Sequence, residues 1–95
     1  MTTRSEYIEK AKARLDRWDA KLDVAEAKVK EANTDTKLAY KEELEKMRSK
    51  RDQARETLTS LQNASESAWD DMRQGAEKAW GQLEDAFESA YGRFG

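Results

Sequence analysis

A stripe of apolar and small side chains runs at helical spacing through the first two-thirds of this chain, and it constrains the fold more than any other feature. It reads Ile8, Ala11, Leu15, Trp18, Leu22, Ala25, Val29, Ala32, Thr36, Tyr40, Leu44, Met47, Arg51, Ala54, Leu58 and Leu61. Steps of three and four alternate as far as Thr36, which is the seam of a heptad repeat. Longer steps then lead to Tyr40 and Leu44, a stutter that relaxes the supercoil before the heptad resumes. Proline is absent, so no residue removes a backbone donor and forces a kink.

The polar residues agree. Charged residues make up 40% of the chain, apolar residues 37%, and mean hydropathy is −1.13. Ala, Glu, Lys, Leu, Arg and Asp dominate, as in long helices and coiled coils. Glu6–Lys10, Glu26–Lys30 and Glu42–Lys46 stand at i,i+4 with the acid first, each contributing about 0.3–0.5 kcal/mol to an exposed helix. Disorder would bring a large net charge and few aromatics; here the net charge is −2, with three Trp, three Tyr and two Phe. At 95 residues the chain makes one small domain, residues 1–95, with little interior.

The last third follows a different period. Trp69, Met72, Ala76, Trp80, Leu83, Phe87, Tyr91 and Phe94 recur every eleven residues. Eleven residues over three turns is about 3.67 per turn, close to a straight helix. Trp69, Trp80 and Tyr91 therefore fall nearly on one line, with Ala68, Ala79, Ala86 and Ala90 flanking it. The helix buries one face along its whole length, bulky aromatics packing opposite small alanines of the preceding helix.

Two stretches offer helix ends. In "LQNASESAW", Ser67 followed by Asp70 resembles an N-terminal capping arrangement, so the main turn falls at 63–66. In "EANTDTK", residues 33–36 are weak helix formers and good caps. The expected fold is all-α: a long helical hairpin, or coiled coil, with one helix near 4–62 and another near 66–92. The alternative, with both breaks used, is a three-helix bundle. In the hairpin, residues 4–32 lack a partner, and Ile8, Leu15, Trp18, Leu22 and Val29 would be exposed. A second copy would cover them, so the hairpin implies a homo-oligomer, dimer or higher. Gly75 and Gly81 fall inside the short helix. They are expected to let a neighbouring helix approach closely; the other reading is a segment that is marginally helical and orders on a partner or surface.

The packing or interface residues are Ile8, Leu15, Trp18, Leu22, Leu44, Met47, Leu58, Leu61, Trp69, Met72, Trp80, Leu83, Phe87 and Tyr91. Nothing assigns them chemistry. Histidine and cysteine are absent, and with them the usual general base, thiol nucleophile and commonest metal ligands. Glu42, Glu43 and Glu45, like Asp70 and Asp71, read as solvated surface. No catalytic, cofactor or metal site is expected. Residues 1–62 sum to a charge of +2 (15 Lys/Arg against 13 Asp/Glu) and residues 63–95 to −4 (3 against 7). Neither part has the basic block that nucleic acid requires. The N-terminal "MTTRSEYIEKAKARL" lacks the apolar core of a secretory signal, and the absence of cysteine suits a reducing compartment; the expected location is cytoplasmic.

"YIEKAKARLDRWDAKLD", with "YKEELEKMRSKRDQARETLTSLQNASESAWDDMRQGAEKAWGQLEDAF", resembles a family of short bacterial coiled-coil proteins labelled as stress-response proteins. The Ala68–Asp70 turn and the aromatic repeat after it are its most specific part. The resemblance implies a helical, stress-related protein and no site residues. The eleven-residue repeat is also similar in style to apolipoprotein helices, although residues 63–95 hold only Arg73, Lys78 and Arg93 as cations. The expected function is a non-enzymatic, self-associating helical scaffold or adaptor acting on protein partners. Its alternative is reversible binding to a lipid surface through residues 66–94.

Overall fold

The computed structural model describes residues 3–94. Three helices account for nearly all of them: α1 over Arg4–Glu31, α2 over Thr34–Gln62 and α3 over Glu66–Gly92. The break expected at 33–36 is therefore used. A single helix over 4–62 does not form, and the hairpin gives way to the three-helix bundle.

The reason lies in Asn33. Its backbone is extended (ψ 171°), and its side-chain Oδ1 accepts from the Thr36 amide at 3.1 Å and the Thr36 hydroxyl at 3.0 Å. One orphan donor at the start of α2 is thus satisfied without continuing α1. Thr36 accordingly serves the cap and is exposed rather than part of the seam. Ser65, rather than the expected Ser67, does the same for α3, accepting from the Ala68 amide at 3.2 Å, and Ser67 falls within the first turn of the helix. Ending α1 at Glu31 gives up a few helical hydrogen bonds. It lets α1 fold back and cover its own apolar face, each large side chain so buried being worth about 1.5–3 kcal/mol. The resulting body measures 52 × 19 × 17 Å, against the roughly 90 Å of a 59-residue helix.

α1 and α2 run antiparallel, as do α2 and α3, so α1 and α3 are parallel. The start of α1 meets the end of α2, where the Arg4 guanidinium donates to the Leu61 and Gln62 carbonyls at 3.1 and 3.0 Å. α2 has no basic residue in its own last turn, so a side chain from another helix supplies the cation its C-terminus favours. Further along, Arg51 donates to Asp19 at 3.0 Å and to Asp52 at 2.7 Å. Arg51 interrupts the apolar stripe, yet it is half-buried, and its link to Asp19 fixes the register of α1 against α2. Burial lowers its pKa, but the bonds to Asp19 and Asp52 outweigh this and raise it overall.

Most of the core forms one connected apolar cluster, with Leu61 and Ala76 buried outside it. Ala25, Met47, Ala54 and Phe87 are wholly excluded from solvent, and no buried residue among those described is polar or charged. Ile8 packs against the cluster from its edge.

Asn33→Ala should lower stability by about 1 kcal/mol, a drop of some 4–8 °C in Tm for a domain of this size, while circular dichroism in buffer stays helical. Phe87→Ala should cost about 3–5 kcal/mol, read from urea unfolding. An unchanged midpoint for Phe87→Ala would mean that α3 does not pack as described.

Candidate functional site

The eleven-residue interval of α3 has a counterpart on α1. Tyr7 and Trp18 are spaced like Trp69 and Trp80, and because the two helices run parallel the residues meet in pairs. Tyr7 stands edge-on to Trp69, centroids 5.8 Å apart, and Trp18 lies 5.6 Å from Trp80. Phe87 stacks on the other part of Trp18 at 4.5 Å and 12°. Near the far end Lys21 lies 5.4 Å over the Tyr91 ring and pairs with Glu88. The α3 aromatics thus also meet rings of α1, and Phe94 packs on Tyr40 of α2, while α3 lies against α2 along its length.

Between the Tyr7–Trp69 and Trp18–Trp80 pairs the two helices leave a groove of about 250 Å³, lined by Tyr7, Lys10, Ala11, Arg14, Glu77, Trp80 and Gly81. Small residues at Ala11 and Gly81 leave room in it. Its rim is charged. Glu77 accepts from Arg73 at 3.0 Å, whereas Lys10 and Arg14 pair with no carboxylate among the described residues; none of the three expected i,i+4 pairs forms, Glu6–Lys10 included, and Glu26 and Lys46 turn instead to Arg48 and Glu43. The Trp80 indole Nε1 is buried and has no acceptor among the described residues. Burial raises the pKa of the Tyr7 hydroxyl; Glu77 adds to the rise, while Arg14 and Arg73 oppose it.

Of the packing residues named from sequence, Leu15, Trp18, Leu22, Leu44, Met47, Leu58, Leu61, Trp80, Leu83 and Phe87 are buried. Ile8, Trp69 and Tyr91 are half-buried. Met72 is exposed at 36%. It borders a shallow depression between α2 and α3 beside Thr57, Ser60, Gly75 and Ala79. It sits at the margin of the stripe, where its neighbours are too short to cover it. The stripe omitted Tyr7, Lys10 and Arg14; the spacing of Tyr7 from Trp18 was the signal that could have found the first.

The glycines need a second correction. A Cβ built on Gly75 or Gly81 would meet nothing within 4 Å, so neither admits a neighbouring helix. Each weakens α3 by about 1 kcal/mol relative to alanine without a packing return.

The acidic clusters lie at the surface in different settings. Glu43 is within reach of Lys46 and Arg93, and Glu45 of Arg48, while Glu42, Asp70 and Asp71 are exposed. Hydrogen bonds to Glu26 and Glu45 raise the Arg48 pKa, joining α1 to α2 at the surface. Among the described residues no group of three or more potential ligands could hold a metal ion, and no helix is long and apolar enough to cross a membrane. Comparison with known protein families, curated sequences and solved structures finds no match. The resemblance to bacterial coiled-coil proteins therefore rests on its residues alone.

Gly75→Ala and Gly81→Ala should each raise stability by up to about 1 kcal/mol, and by nearly the sum together, measured by thermal melting. Tyr7 contributes stability that is fully present below pH 10.0, its ordinary pKa, and is lost as pH rises through the higher folded value. Tyr7→Phe should therefore lose less stability than the parent between pH 9 and about 11, tested by urea unfolding across that range.

Proposed function

We propose that this protein acts without catalysis, as a cytoplasmic helical adaptor or scaffold that offers its polar outer faces to protein partners, in the stress-related setting that the resemblance implies. The observation that supports this reading is the use of the aromatic side chains in internal packing. Trp18, Trp80 and Phe87 hold the helices together, Trp18 and Phe87 lying wholly inside the bundle and Trp80 at the edge of one groove. The large apolar residues left at the surface, Val24, Leu38 and Met72, are scattered, so recognition by this exterior rests mainly on charge.

The expected homo-oligomer loses its original premise, because Leu15, Trp18, Leu22 and Val29 are buried within one chain. Self-association, if it is the scaffold's mode, then runs through charged faces. Contacts of that kind weaken with salt. Light scattering at tens of micromolar should show a larger species at low ionic strength that falls to the monomer as salt is added. A monomer throughout would remove self-association and leave the adaptor reading to a different protein partner.

Lipid-surface binding is favoured by a separate observation. Gly75 and Gly81 weaken α3 with no steric reason, and α3 carries the aromatic repeat. Its apolar face is turned into the bundle, so α3 would have to leave the core to lie in an interface. Neutral phosphatidylcholine vesicles separate the readings. An adaptor keeps the same blue-shifted tryptophan emission with and without vesicles. A lipid binder shifts on adding them, and less so in the Gly75→Ala/Gly81→Ala variant, whose α3 is more firmly held.

A further inference from the structure

We propose that the groove between α1 and α3 is a binding site for a small organic carboxylate carrying a ring-sized apolar body. This goes beyond macromolecular docking, since the ligand is a small molecule held within one bundle. Shape and charge point the same way, and one wall residue carries an unmatched donor. The first of these is shape. Ala11 and Gly81 line a space of about 250 Å³ beside the Tyr7 and Trp80 rings. A Cβ on Gly81 would meet nothing within 4 Å, so the glycine contributes room and no helix contact. The volume lies below that of sites for drug-sized ligands, which restricts the occupant to about one ring with its substituent.

The second feature is an unmatched donor. Trp80 is 3% exposed, and its Nε1 has no acceptor among the described residues. A buried N–H without a partner is destabilising, and most such groups are satisfied in folded proteins. The Trp80 ring lines the groove while its Nε1 is screened from solvent, so an acceptor reaches it only if the ring moves.

The third is charge. Lys21, further along α1, is matched by Glu88. In the groove the acid Glu77 is engaged by Arg73, and Lys10 and Arg14 pair with no carboxylate among the described residues. Two unmatched cations at the mouth of an aromatic-walled space suit a carboxylate with an apolar body: the head meets Lys10 and Arg14 in charge-assisted hydrogen bonds, and the body lies against the rings. Inorganic phosphate would satisfy the cations but leave the walls unused.

The test uses the full chain labelled with ¹⁵N. Its three tryptophans give three indole cross peaks, and Trp80→Phe assigns the one that matters. Titration with sodium benzoate should move the Trp80 peak and the Gly81 amide along saturable curves. Benzamide, with the same ring and no charge, should move them far less, and so should phosphate at matched ionic strength. Lys10→Gln/Arg14→Gln removes two exposed side chains and should leave the melting temperature nearly unchanged while weakening benzoate at least about tenfold. Gly81→Ala should fold at least as well as the parent and bind more weakly; Gly81→Leu should not bind. The proposal is overturned if benzoate gives no saturable shift. It is also overturned if benzoate and benzamide act alike and the double variant binds as well as the parent.

Discussion

The Trp18 ring, stacked on Phe87 at 4.5 Å and set against Trp80 at 5.6 Å, is the contact on which the three-helix arrangement depends. It joins the first helix to the last, which no short loop connects. Burying each of these side chains is worth about 1.5–3 kcal/mol, and aromatic pairing adds about 0.5–1.5 kcal/mol. For a chain of this size that is a large part of the total. The cluster adds to an α1–α2 seam in which Ala11, Ala25 and Ala54 give closeness and Leu15, Leu22, Val29, Leu44, Met47 and Leu58 give area.

Charge refines what the rings establish. α3 is acidic and the α1–α2 pair slightly basic, and the links between them follow that division: Lys21 with Glu88, and the Lys28 ammonium donating to the Phe94 carbonyl at 2.8 Å. Arg93 near Glu43 runs the other way, a cation beyond α3 reaching an acid of α2. Exposed pairs of this kind contribute little individually. Their effect is on choice of neighbour and register, as with Arg51 and Asp19 between α1 and α2. A helical chain with so regular a seam has several ways to pair its helices, and charges that match in one of them disfavour the rest.

The groove follows from the same parallel pairing. Two helices that meet through large rings at intervals are held apart between the rings wherever the intervening residues are small. Ala11 and Gly81 fall at such an interval. A glycine in mid-helix is unfavourable, and here no close contact compensates for it. The cost to α3 and the space beside Trp80 are thus two consequences of one residue, and either a ligand or the release of α3 would give that residue a role.

The sequence by itself determined that the chain is helical, that a turn falls near residues 63–66, and which faces are apolar; the cap at Ser65 in place of Ser67 is a detail of the structure. Those properties are local: 3.6-residue periodicity, capping side chains and the absence of proline act within a few turns. Ten of the fourteen packing residues could be placed in the core on that basis. Whether Asn33 ends a helix was decided by tertiary structure. A cap without glycine or proline is a weak local signal, and the balance is tipped by burying the α1 face against α2 and α3. The same holds for the partner of each aromatic, the exposure of Met72 and the open space around Gly75 and Gly81. The α1–α3 groove belongs to this second class too, because Lys10, Arg14 and Trp80 lie far apart along the chain and share a site only through the parallel docking of its first and last helices.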